Sequence, residues 1–187
     1  MPDAVHYAVL YRPPLPAEPI ASFRERYDPH SWIPLHMTLV FAVPAEVGRA
    51  PLAGHVRSVA SRTEPFRIKL KGLEKSWDHW LLLVLEEGRA ETIALHDALY
   101  TGPLSAYLRD DIEFVPHVSL VFFGLSEGYD PLHPTDPELD RRGYQKALRE
   151  AERLRLEYVV TLSELILTGF DRELRGVSAD EFSLGSP

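Results

Sequence analysis

Two eight-residue runs, PLHMTLVF from Pro34 and VPHVSLVF from Val115, constrain this chain more than anything else in it. Each sets a histidine, one apolar residue, a hydroxyl residue and then Leu-Val-Phe, with a proline just upstream of the histidine. Their β-branched and aromatic content makes each a strand. In a strand, residues two apart share a face. His36 and Thr38 therefore point one way, while Met37, Leu39 and Phe41 point the other. His117 and Ser119 likewise oppose Val118, Leu120 and Phe122. Each strand offers an imidazole beside a hydroxyl, backed by an apolar surface that must be buried. The two histidines stand 81 residues apart (117 − 36), close to half of the 187-residue chain, and two related lobes fit that spacing.

The rest of the pattern supplies those lobes. VHYAVLYR alternates as a strand and ends at PPLPAEP. IASFRERY can form a short helix, broken at Asp28-Pro29. A helix is expected from about Pro51, then a half-buried strand in FRIKLKGLEKSW with its hairpin partner in DHWLLLVLEEG. RAETIALHDALY reads as a helix, ELDRRGYQKALREAERLRL as a charged amphipathic one, and YVVTLSELILTGFDRE as one or two strands, with EFSLG as a further edge. No Gly/Ser linker divides the chain. The mixed order predicts an α+β fold with antiparallel sheets, organised as one bilobal unit over residues 1–187.

Two strands of this kind set side by side would line one cleft with two imidazoles and two hydroxyls. That set suits phosphodiester chemistry. One neutral histidine can take a proton from water or a ribose hydroxyl, and the other, protonated, can deliver one to the leaving oxygen. Thr38 and Ser119 can donate hydrogen bonds to the non-bridging phosphate oxygens. No metal and no cofactor are required. A single strand histidine is usually structural, but that reading must explain the same neighbours at the same offsets twice.

Here the likeness to a known family is close. HMTL and HVSL resemble the paired HxTx/HxSx signatures of the 2H phosphoesterase superfamily, also called LigT-like or 2′-5′ RNA ligase-like. RYDPHSWIPLHMTLVF resembles the approach to the first motif in one bacterial branch, and FVPHVSLVF the approach to the second, the likeness running from about Val5 to Gly169. It implies two pseudo-symmetric lobes, each an antiparallel sheet with outer helices, around a central cleft. It also implies His36 and His117 as acid and base, with Thr38 and Ser119 as the phosphate-binding hydroxyls. The chain departs from the branch in two places. Leu35 occupies the usual proline position before the first histidine, and VFFG follows the second motif where an arginine is typical.

Other features bear on substrate. A net charge of −8 makes a long nucleic acid, gripped through many phosphates, a poor partner. A small nucleotide or an RNA end remains open, with a monomer expected. Arg12, Lys69, Lys71 and Trp77 are candidate substrate contacts, although the two lysines read more simply as a solvated strand face. GLSEG, with Ser126, fits a nucleophile elbow in letters only, since a proline-rich loop follows where a helix is needed. The eight histidines include no HExxH, and there is no cysteine. No apolar run could span a bilayer and no signal peptide is evident, so a cytoplasmic location is expected. A non-catalytic module binding nucleotides or RNA ends is the competing class.

Overall fold

A computed structural model describes residues 4–29, 33–125, 138–173 and 175–186. The expected elements form in the expected order: β1 (His6–Tyr11), α1 (Ile20–Tyr27), β2 (Met37–Pro44), α2 (Arg49–Ala60), β3 (Phe66–Lys75), β4 (Trp80–Glu87), α3 (Arg89–Leu99) and β5 (His117–Phe122). Two short strands, β6 (Gly124–Leu125) and β7 (Glu138–Leu139), precede α4 (Arg141–Leu154), β8 (Glu157–Leu162), β9 (Glu164–Phe170) and β10 (Gly176–Ser183). Helix α2 starts two residues before Pro51, because a proline in the first turn removes an N–H that has no helical partner anyway. Asp140 caps α4, accepting a hydrogen bond from the Gly143 N–H at 2.9 Å.

Two four-stranded antiparallel sheets result, ordered β10-β9-β1-β2 and β5-β4-β3-β8. The lobes are not the two halves of the chain. Only Ser163 separates β8 from β9, so the chain crosses there from the second sheet back to the first. Helices α2 and α3 pack on β9, β10 and β2, while α1 and α4 pack on β5 and β3. One continuous apolar core joins both sheets to the four helices, from Val9 and Leu39 through Leu83 and Val118 to Leu165. The motif strands β2 and β5 each sit at a sheet edge, and those two edges meet.

The alternation expected of both motifs fails at the same place in each. In β2, Thr38 pairs with Leu10 and Val40 with Val9, leaving Leu39 as an extra residue. In β5, Ser119 pairs with Leu82 and Val121 with Leu81, leaving Leu120 extra. Each is a β-bulge directly after the hydroxyl residue, which lets consecutive Leu and Val both enter the core. Beyond the bulge the faces exchange. Phe41 and Phe122, expected in the core, instead lie on the side of the histidine and hydroxyl. Phe41 is 44% exposed, and Phe122 packs its ring on Trp80 at 5.3 Å.

The turn from β4 into α3 depends on one glycine. Gly88 has φ +79°, and a Cβ there would lie 2.6 Å from the Arg67 carbonyl oxygen and 2.7 Å from Ile68 Cγ2. Gly88→Ala is therefore expected to destabilise the fold by at least about 1–3 kcal/mol, the usual cost of a strained backbone, with the clash adding to it. The urea midpoint measures this, and an unchanged midpoint would contradict the geometry.

Candidate active site

Both histidines are fixed by one device. The Nδ1 of His36 lies 2.8 Å from the carbonyl oxygen of Pro34, and the Nδ1 of His117 lies 2.5 Å from that of Val115. A carbonyl can only accept, so each Nδ1 carries the hydrogen and donates. The neutral imidazole then keeps its lone pair on Nε2, and the protonated one offers an Nε2–H. Each lock uses the backbone two residues upstream. The displaced proline of the first motif therefore leaves it intact, since any residue at that position supplies a carbonyl. At the second motif the Pro116 carbonyl accepts instead from the Leu85 N–H, tying the approach to β5 onto β4.

The two imidazoles lie close enough for the charge of one to disfavour protonation of the other. Their surroundings otherwise differ in sign. Burial pushes His36 below its ordinary value of 6.5; the Pro34 carbonyl opposes this, and the charges of Arg12, His117 and Arg24 press it lower. Burial also lowers His117, but there the Val115 carbonyl and the carboxylates of Asp78 and Glu74 pull the other way. His36 thus stands in a cationic setting and His117 in an anionic one.

Local structure explains each charge. Tyr11 pairs with Met37, so Arg12, the next residue, comes opposite His36. Arg24 projects from α1, and its guanidinium is held by a 2.7 Å bond to the Ile33 carbonyl. Glu74 reaches the face of Ser119 because Gly72, at φ +97°, takes the extra residue of a bulge in β3. Glu74, Leu82 and Ser119 then form one row across three strands. Asp78 sits in the β3–β4 turn, buried to 8% exposure, where it accepts from the Ser76 hydroxyl at 2.5 Å.

Thr38 and Ser119 are half-buried, and neither hydroxyl is bonded to another group among the described residues. The other sequence candidates divide. Arg12 is exposed and close to His36. Trp77 is 45% exposed on the hairpin turn that carries Asp78. Lys69 and Lys71 are tied down: Lys69 Nζ lies 2.8 Å from Glu86 and 3.0 Å from Glu157, and Lys71 bridges the same two carboxylates at 3.5 Å. These pairs hold Lys69 above its ordinary pKa and Glu86 and Glu157 below theirs. Ser126 lies outside the described residues.

Sequence reasoning missed Arg24, Glu74, Asp78, Phe41 and Phe122; Trp80 reads from the sequence as a stacking surface or a core residue alike, and its ring packs on Phe122. Two signals were available: Arg24 is four residues beyond Ile20 and next to Phe23, on the inward face of α1, and Gly72 stands alone inside a strand, the mark of the bulge that brings Glu74 round. The others depend on bulges or on the hairpin turn.

With this geometry in place, comparison with known proteins decides the family. The model of the 2′-5′ RNA ligase superfamily matches residues 12–165. The chain belongs to that superfamily. Among solved structures, Escherichia coli LigT complexed with NADP+ aligns over 98% of this chain and 99% of its own, at 17% identity and a TM-score of 0.55. TT0787 of Thermus thermophilus aligns over 96% and 98%, at 16% identity and 0.56. Kluyveromyces marxianus Usb1 with uridine monophosphate aligns over 97% and 99%, at 12% identity and 0.53. At such identities the likeness is one of fold: the LigT-like α+β fold of the 2H phosphoesterases, as the doubled motif implied. No curated protein matches by sequence. Among the described residues of this superfamily member, no helix is long and apolar enough to cross a membrane.

Proposed function

We propose that the protein is a metal-independent phosphoesterase acting on a 2′,3′-cyclic phosphate or 2′-5′ phosphodiester of a small nucleotide or RNA end, as a cytoplasmic monomer. The observation that carries this reading is the pair of identically locked histidines in settings of opposite charge. His36, whose neutral form is favoured by burial first and then by the charges of Arg12 and Arg24, is the base: its Nε2 takes the proton from the attacking water or hydroxyl. His117 is the acid: burial lowers it as well, but the Val115 carbonyl and the carboxylates of Asp78 and Glu74 oppose that and favour its protonated form. Its Nε2–H passes to the oxygen that leaves phosphorus, and the proton gained at His36 balances the one lost here. Thr38 and Ser119 donate to the non-bridging oxygens as charge builds on them, and the two arginines offset that charge. Phe41, Trp77 and the Trp80–Phe122 pair offer aromatic surface on which a base can stack.

Hydrolysis of 2′,3′-cyclic nucleotides in the presence of EDTA tests the reading. Turnover that EDTA abolishes would argue for a metallo-hydrolase. Calorimetric binding with no turnover of any cyclic phosphate or 2′-5′ dinucleotide would make the protein a binding module instead.

The charge settings also predict the pH profile. His36 must be neutral, so its pKa sets the acid limb; His117 must be protonated, so its pKa sets the alkaline limb. Both are lowered in the free protein, so kcat/KM should peak below pH 6.5. The apparent values belong to the coupled pair. Asp78→Asn removes a charge that favours protonated His117, so the alkaline limb should move to lower pH. Arg12→Gln removes a charge that disfavours protonated His36, so the acid limb should move up. If Asp78→Asn moved only the acid limb, the two roles would have to be exchanged.

A further inference from the structure

Strand β2 is an edge, so beyond its pairing with β1 the outward backbone groups need partners from elsewhere. Two are met by side chains of α3 and the residue that ends it. His96 Nδ1 lies 2.8 Å from the Leu39 carbonyl oxygen, and the Tyr100 hydroxyl accepts from the Phe41 N–H at 2.9 Å. His96 and Tyr100 are four apart and so face β2 together, their rings 4.8 Å apart. Leu39 is the bulge residue of the first motif, directly after Thr38.

His96 also reaches the second motif. Its ring stacks on Phe114 at 3.8 Å and 7°. Phe114 precedes Val115, whose carbonyl locks His117. One buried imidazole, 9% exposed and outside the proposed proton transfers, thus touches the backbone of one motif and the approach to the other.

We propose that His96, assisted by Tyr100, is a positioning residue that sets the His36–Thr38 strand relative to the His117–Ser119 strand. It acts as a clasp across the meeting of two sheet edges. Its bond to Leu39 fixes the bulge and therefore the direction of Thr38; its stack on Phe114 fixes where the carbonyl lock of His117 begins. This rests on the phosphoesterase reading for its kinetic consequence but not for its structural one.

The two contacts can be separated. His96→Asn keeps a donor for Leu39 and loses the stack, while His96→Phe keeps the stack and loses the donor. On a 2′,3′-cyclic nucleotide, His96→Phe should lower kcat about tenfold or more with KM within about twofold, since a misplaced group costs rate rather than ground-state affinity. His96→Asn should recover part of that loss. Tyr100→Phe, which keeps the ring, should speed hydrogen exchange at the Phe41 amide. Circular dichroism of each variant separates a failure to fold from a misplaced motif, and Tyr100→Phe supplies an independent measurement. Folded variants with wild-type kcat and wild-type exchange at Phe41 would overturn the clasp. Should the wild-type protein turn over no phosphodiester, the functional reading fails. The clasp is then decided by Phe41 exchange and by the His36 and His117 ring resonances, which His96→Phe should shift together if it holds and leave in place if it does not.

Discussion

Alanine at either His36 or His117 is expected to lower turnover of a cyclic phosphodiester by about 10²–10⁴-fold, the usual worth of a positioned acid or base. The double variant should lose little beyond the worse single one, because the two act in one proton-transfer sequence and their effects do not add. Both side chains are half-buried with Nδ1 engaged by backbone, so removing a ring leaves one carbonyl without its donor but opens no cavity in the apolar core. Folding should survive, and thermal unfolding measured beside the kinetics keeps a loss of rate from being mistaken for a loss of structure. The pH profiles of the singles carry more information than their rates. His36→Ala should erase the acid limb and His117→Ala the alkaline limb, because each limb reports the titration of one ring. Turnover that survives both substitutions would falsify the two-histidine reading.

The doubled motif carried most of the fold and the centre of the candidate site. Period-two alternation holds as far as the hydroxyl residues, so the shared face of His36 with Thr38 and of His117 with Ser119 was legible. It breaks at Leu39 and Leu120, where a bulge lets two consecutive apolar residues enter the core. A bulge in a run such as TLVF or SLVF leaves no mark that alternation can read, and alternation accordingly puts Phe41 and Phe122 on the wrong side. The bulge at Gly72 did have a mark, a lone glycine inside a strand, and it is what carries Glu74 to the face of Ser119. Lys69 and Lys71 do share a face, as their spacing implies, but their carboxylate partners come from β4 and β8, and strand order does not follow from letters. Arg24 was hidden by composition. In FRERY it reads as one of several solvated charges, and only the apolar spacing of Ile20, Phe23 and Tyr27 sets it inward.

The hydroxyls give the second large effect. Thr38→Val conserves shape and β-branching while removing one donor, and Ser119→Ala removes the other. Each is expected to lower kcat by about 10²-fold, the lower end of what a single oxyanion donor is worth. Stability should hardly move, since neither hydroxyl bonds to another group among the described residues. Thr38→Ser should restore most of the rate, because it returns the oxygen without the methyl. The bulges sharpen this expectation. Each hydroxyl residue immediately precedes the inserted leucine, where the strand's twist increases and its side chains are re-aimed. The backbone there sets the direction in which each Cα–Cβ bond leaves the strand, so both hydroxyls start from a fixed base. The loss should therefore fall on kcat rather than KM, and for both hydroxyls alike if the two motifs are halves of one device. A Thr38→Val variant with kcat within about twofold of wild type would confine the chemistry to the histidines and leave Thr38 a packing residue.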